Sequence, residues 1–236
     1  MFNKMVPITR QRHGSKKVLP VRTFKFASKS NIVSLITNEF NKVASVCPIV
    51  FVEDKDELLK PFALLGLEQG ENLFIDDNGR WKSHYIPAII RRYPFVLGRN
   101  EGKSDLVLCI DEESEFVSDT EGESLFNEKG EPGKITETAR NYLIELQKFS
   151  ELTSMFSKEL AERELLSPLN MQIKNSQGAL VKIDGIFAVN ETKLNELPNE
   201  AFMELRKRGA LSLIYAHLVS LVQMERLVQM QGKKRK

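Results

Sequence analysis

The stretch PIVFVEDKDELLKPFALLGLEQGENLFIDDNGRWKSHYIPAIIRRYPFVLGRNEGKSDLVLCIDEE, residues 48–113, decides the fold. PIVFVED (48–54), FALLGLE (62–68) and NLFID (72–76) are short β-rich runs set apart by charged or glycine-bearing turns. Asn78-Gly79, inside DDNGRW (76–81), is the strongest hairpin signal in the chain. YIPAIIRRYPFVLG (85–98) reads as a helical turn between Pro87 and Pro94, then a strand at Phe95, Val96 and Leu97. A turn at Asn100-Glu101-Gly102 leads to a further strand, LVLCIDEE (106–113). Tight connections between short strands predict an antiparallel meander. The missing strand–helix–strand rhythm argues against a parallel Rossmann-type sheet.

Helical patterns flank this stretch. Upstream, Ile32, Leu35, Ile36, Phe40, Val43 and Ala44 fall at helical spacing over residues 31–46, and Pro48 ends the segment. Downstream, 114–134 reads as an acidic loop. Ala139, Tyr142, Leu143, Leu146, Phe149, Leu152, Phe156 and Leu160 then make the stripe of a long amphipathic helix, with Thr136 as its expected N-cap. A late hairpin follows, LNMQIKN (169–175) and LVKIDGIFAVN (180–190) around Ser176-Gln177-Gly178. Two helices, about 192–208 and 210–230, close the chain, with Gly209 as the C′ residue between them. The expected architecture is α+β: an antiparallel meander sheet packed against a long helix and a C-terminal helix pair. One domain covers 26–232, between an extended basic arm at 1–25 and a basic tail at 233–236.

Composition is that of an ordinary globular chain: 42% hydrophobic and 28% charged over 236 residues. A chain of this length needs neither disulfide nor metal to fold. Cys47 and Cys109 sit in apolar runs without CxxC spacing, which predicts buried thiols and no structural zinc; a disulfide or a reactive thiol is the competing reading. No continuous apolar run approaches the roughly 20 residues of a membrane span, and the N-terminus lacks the apolar region of a signal peptide. The expectation is therefore a cytoplasmic protein without a transmembrane segment, unless another machine exports it. The net charge of +2 hides an asymmetry. Residues 1–38 carry eight Lys/Arg and no acid, and the last four residues are all basic; all 32 acids lie between. Such ends either dock on the acidic body or meet an anionic partner. Nucleic acid is disfavoured, because the basic segments lack interleaved aromatics and an acidic body repels phosphate.

Few residues carry chemistry. His13, His84 and His217 have no metal-ligand spacing, and His217 reads as a core or interface histidine. Asp111-Glu112-Glu113 with Glu115 reads as a solvated strand end. Ser83-His84 lacks a nucleophile elbow, and Gly66, Gly70 and Gly79 form no phosphate loop. The most suggestive group is Trp81, Tyr85, Arg91, Arg92 and Tyr93, with Asp111 as a companion. Guanidinium forks grip carboxylate or phosphate, and aromatic faces supply a flat wall. The competing reading has Trp81, Tyr85 and Tyr93 in the core while an arginine pairs with Asp76 or Asp111. No cofactor, metal or catalytic residue is assigned. The apolar last helix either buries in its own domain or forms a homo-oligomer seam.

PIVFV, ALLGLEQGENLF, DDNGRW and YIPAIIRRYPFVL, together with LCIDEES, GESLFNEKGEP, IDGIFAVNETKLNEL and GALSLIYAHLVSLVQMERL, resemble the SapC family of bacterial proteins from about Pro20 to Leu227. The family takes its name from a gene linked to a bacterial surface layer, and its members are often labelled peptide-transport components. They are often encoded near TonB-dependent receptors, flavin-dependent halogenase-like proteins and cupin-type hydroxylases. The resemblance thus implies a non-catalytic binding or accessory role, with a protein partner, in surface-layer or receptor-associated uptake. The alternative it leaves open is an enzyme acting on a small anionic substrate beside such halogenase- or hydroxylase-type partners.

Overall fold

The computed structural model describes residues 1–54, 57–99, 106–174 and 180–234. The turns read at Asn100-Glu101-Gly102 and Ser176-Gln177-Gly178, and the last two residues of the basic tail, lie outside them. The chain begins with β1 (Met5–Pro7), α1 (Arg10–His13), β2 (Lys17–Val18) and β3 (Ile32–Ser34). After a 3₁₀ turn at Thr37–Glu39 come α2 (Phe40–Ala44), β4 (Ile49–Glu53), β5 (Leu59–Leu64), α3 (Ala88–Arg91), β6 (Phe95–Arg99) and β7 (Leu106–Asp111). Then follow β8 (Val117–Ser118), β9 (Glu123–Ser124), the 29-residue α4 (Lys134–Glu162), β10 (Leu166–Pro168), β11 (Met171–Lys174), β12 (Leu180–Ile183) and β13 (Ile186–Val189). The helices α5 (Glu191–Asn195), α6 (Asn199–Lys207), α7 (Ala210–Ser220) and α8 (Gln223–Lys234) end the described chain.

The protein is α+β with antiparallel sheets, as the sequence predicts, but residues 48–113 do not form one meander. β4 and β5 belong to a five-stranded sheet, β10-β13-β4-β5-β3, whereas β6 and β7 join β1 in a separate three-stranded sheet. The chain leaves the first sheet at Gly66, where a Cβ would stand 1.9 Å from the Glu71 carbonyl oxygen; only glycine permits that return. NLFID is therefore no strand, and Ile75 makes a single bridge to Trp81 across the Asn78-Gly79 turn. Asp76 Oδ1 closes that turn by accepting from the amides of Asn78 (3.0 Å) and Arg80 (2.8 Å).

Three further expectations are corrected. Residues 31–46 are not one helix: β-branched Ile32 and Val33 pair with Leu64 and Ala63 as the edge strand β3, because sheet pairing outweighs the helical spacing. The long helix starts at Lys134, and Thr136 does not cap it but donates its hydroxyl to the Leu125 carbonyl (2.7 Å). The two closing helices are four. Gly209, at φ +74°, ends α6 as read, while breaks after Asn195 and Ser220 divide the rest. The basic N-terminal segment is woven into the fold, with β1 on β7 and β2 between β8 and β9.

Phe51 of β4 touches Phe156 of α4 (6.5 Å between centroids) and His217 of α7 (5.1 Å). One side chain has one direction, so α4 and α7 cover the same face of the five-stranded sheet. Phe156 and Leu160 of α4 enter the core built on that sheet, while Ala139, Leu143 and Leu146 enter a second core with Phe95, Leu108 and Ile110. At about 1.5 Å per residue, α4 is long enough to bridge both. Ala210–Lys233 is, by length and mean hydropathy, one stretch apolar enough to cross a membrane, although polar residues interrupt its apolar runs. Its helix breaks after Ser220, and Ile214, Met224 and Leu227 are buried in the main core. Tyr215, Val219 and Val222 remain exposed on its other side.

Candidate functional site

The arginines stand at the junction of the two cores, where α3 faces the middle of α4. Pro87 sets the entry to this short helix, and buried Ala88 and Ile90 anchor it. Consecutive residues on a helix point about 100° apart, so Arg91 and Arg92 diverge. Glu39 lies between them. It is 3% exposed, and its Oε1 accepts from the Ala88 amide (3.1 Å) and the Tyr85 hydroxyl (3.3 Å). Burial, the largest influence, raises its pKa above the ordinary 4.5, opposed by the Ala88 amide and the Arg91 charge.

On one side of Glu39, exposed Arg91 donates from Nε to the Ile86 carbonyl (3.0 Å) and from a terminal nitrogen to the Tyr85 hydroxyl (3.4 Å). Its guanidinium lies over the rings of Tyr85 (5.6 Å) and Tyr142 (5.7 Å), and Lys42 Nζ lies 5.9 Å from the Tyr85 centroid. These groups line a crevice of about 200 Å³.

On the other side is a cavity of about 150 Å³ lined by Arg92, Glu39, Ser34, Gln147, Ser150 and Thr153 among others. Thr153 Oγ1 accepts from the Thr37 amide (2.9 Å) and donates to the Phe149 carbonyl (2.6 Å), tying the Glu39 segment to α4. Lys60 reaches the same cavity but is ion-paired with Asp54. Arg92 differs. Among the described residues no carboxylate pairs with its guanidinium, and its Nε, closed off from solvent, has no hydrogen-bond partner. The Phe2 ring lies 5.3 Å from Cζ, and burial lowers the guanidinium pKa from its ordinary value.

The six residues singled out from sequence do not converge on one site. Trp81 stacks on Phe74 (5.7 Å) and donates its indole N–H to the Tyr85 carbonyl (2.8 Å), so it braces the site from the core. Tyr93 is stacked on Phe26 (3.9 Å) and donates to Asp111 Oδ2 (3.1 Å). Asp111 is 0% exposed and also accepts from the amides of Asn3 (3.0 Å) and Lys4 (2.8 Å). It fastens the N-terminal segment and pairs with neither arginine. Asp76 is taken up by its own turn. Next to Asp111, Glu112 is not a solvated end either: it clamps Arg12 Nε and a terminal nitrogen (both 2.5 Å), which holds its carboxyl down at about 2.

Glu39, Lys42, Tyr142 and Thr153 are the site residues that the sequence reading missed. A signal for Glu39 existed: it lies four residues after Leu35 and four before Val43, a carboxyl in apolar register. The histidines stay apart. His84 Nε2 meets Ser45 Oγ at the surface (3.2 Å). His217, fully buried, accepts from the Val189 amide at Nε2 (3.0 Å) and so donates from Nδ1 to the Ile49 carbonyl (2.9 Å). Cys47 and Cys109 are buried free thiols, and burial pushes Cys47 up to about 12. Among the described residues no group of three or more His, Cys, Asp or Glu is placed to hold a metal ion.

The architecture defines an α+β protein in which a long helix joins two antiparallel sheets and a buried carboxyl separates two arginine-lined hollows. The SapC family model matches residues 8–227, nearly the whole chain, and the protein belongs to the SapC family. We found no match among curated proteins or solved structures.

Proposed function

We propose that this chain is a non-catalytic binding protein, an accessory factor that holds a small anion in the Arg92 cavity. The observation that carries the reading is a half-buried guanidinium, its Nε closed off from solvent, with no anionic partner on the wall of a hollow that Ser34, Ser150 and Thr153 also line. A buried charge without a counter-ion is costly, and an oxyanion from outside compensates it. About 150 Å³ is the size of cavity that holds one benzene-sized molecule, so the ligand is a compact carboxylate or phosphate. Arg91, already committed to Ile86 and Tyr85, serves as a rim cation. The family resemblance adds the setting, a protein partner in surface-layer or receptor-associated uptake; co-purification from the native host tests that part.

Titration calorimetry with acetate, sulfate and phosphate tests the site. Arg92→Ala should abolish binding while the protein stays folded by circular dichroism, and Arg91→Ala should weaken binding only a few-fold. Binding by Arg92→Ala equal to that of wild type, or no anion bound by wild type, overturns the proposal. One observation favours the enzyme reading: Glu39 lines both hollows as a buried carboxyl with a raised pKa. Under that reading Glu39→Gln binds ligand but loses turnover.

A further inference from the structure

Glu39 and Arg92 share a cavity without forming an ion pair. The Ala88 amide and the Tyr85 hydroxyl both donate to Glu39 Oε1, the Ile36 backbone also bears on the carboxylate, and Arg91, whose charge acts on it, already serves Ile86 and Tyr85. An anion beside Arg92 in so small a space brings a second negative charge close to a carboxyl that solvent does not reach. We propose that the Arg92 cavity takes up its anion together with a proton, and that Glu39 carries that proton. This rests on the binding reading above and adds its linkage to pH.

At an effective dielectric near 20, two like charges about 6 Å apart change a protonation equilibrium by about a hundredfold. Neutral Glu39 also turns from a repelling acceptor into a donor. The other groups facing it do not supply this proton. From the segment before α3, Tyr85 is pushed up to about 12, and from α4 Tyr142 is raised, both chiefly by burial. Cys47, behind α2, is pushed up to about 12. The cations around it are Arg91 on α3, Arg92 just after α3, Lys42 on α2 and Lys60 on β5, and Lys60 is paired with Asp54. Glu145 of α4 lines the Arg91 crevice, and its side chain is exposed. Burial already favours the neutral form of Glu39 before the anion arrives.

The test is calorimetric titration of the full chain with sulfate and with acetate, whose charges are fixed between pH 6.5 and 8.5, in buffers of different ionisation heat. Wild type should take up as much as one proton per anion. Its Kd should weaken by up to tenfold per pH unit toward the alkaline end. Glu39→Gln should bind with the wild-type low-pH affinity at every pH and take up no proton, while Glu145→Gln behaves as wild type. Anion binding by wild type without proton uptake, or pH dependence that persists in Glu39→Gln, overturns the coupling and leaves the anion site standing. No anion binding by wild type at any pH removes the site itself, and the coupling with it. The proton count is read on wild type, so it does not depend on how well a variant folds.

Discussion

His217 shows how a polar residue is used inside this fold. Both ring nitrogens are bonded to backbone of β4 and β13, and the ring lies 5.1 Å from Phe51. Ser220, one turn on, accepts from the Ile49 amide (2.9 Å), so two side chains of α7 close the backbone of β4. His217→Ala orphans the Val189 amide and the Ile49 carbonyl and leaves a void. It should cost about 3 kcal/mol in urea denaturation, from roughly 1–3 kcal/mol per unmet buried group. A loss below about 1 kcal/mol would mean that water replaces the ring.

At the scale of elements, the N-terminal segment is the instructive case. Its eight basic residues left two readings open, docking on the acidic body or meeting an anionic partner, and Asp111 and Glu112 hold it from within. Asp111 takes two amides of the segment and the Tyr93 hydroxyl, and Phe2 lies against both Tyr93 (5.3 Å) and Arg92. Asp111→Ala should therefore release residues 1–13 before the domain unfolds. Limited proteolysis should cut there at least tenfold faster, while the global urea midpoint drops by only about 2 kcal/mol equivalent, the penalty of orphaned donors. Equal protection of the segment in variant and wild type would refute the clasp. The solvated reading of this strand end failed because Asp111 looks the same in sequence whether it meets water or the amides of Asn3 and Lys4, more than a hundred residues away.

For the whole molecule, acid and alkali act through different groups. His217 is a base pushed down to about 4, so the stability it contributes is whole above its ordinary 6.5 and lost as pH falls through 4. Glu112, held at about 2 by Arg12, contributes fully above 4.5 and loses that contribution toward pH 2. Glu39 runs the other way. Its raised value means that its contribution is whole below 4.5 and lost as pH rises through the native value. Urea midpoints measured from pH 3 to 9 should fall on the acid side, and Glu39→Gln should gain on wild type at pH 8 relative to pH 4.5. The same difference at both pH values would show that Glu39 keeps one protonation state throughout.

Local signals were enough for the class and much of the punctuation: the α+β character, the long helix, Gly209 at a helix end and the Asn78-Gly79 turn all follow from hydrophobic period and backbone preference. The candidate site was half legible. Adjacent arginines among aromatics marked the place, but Trp81, Tyr93 and Asp111 proved to be bracing. Glu39 and Thr153 enter only because α4 runs past α3. Sequence determines how each segment buries its own apolar side. Which sheet a strand joins, which carboxyl meets an amide and which guanidinium is left without a partner depend on neighbours tens of residues away, and those are fixed only when the two cores close on α4.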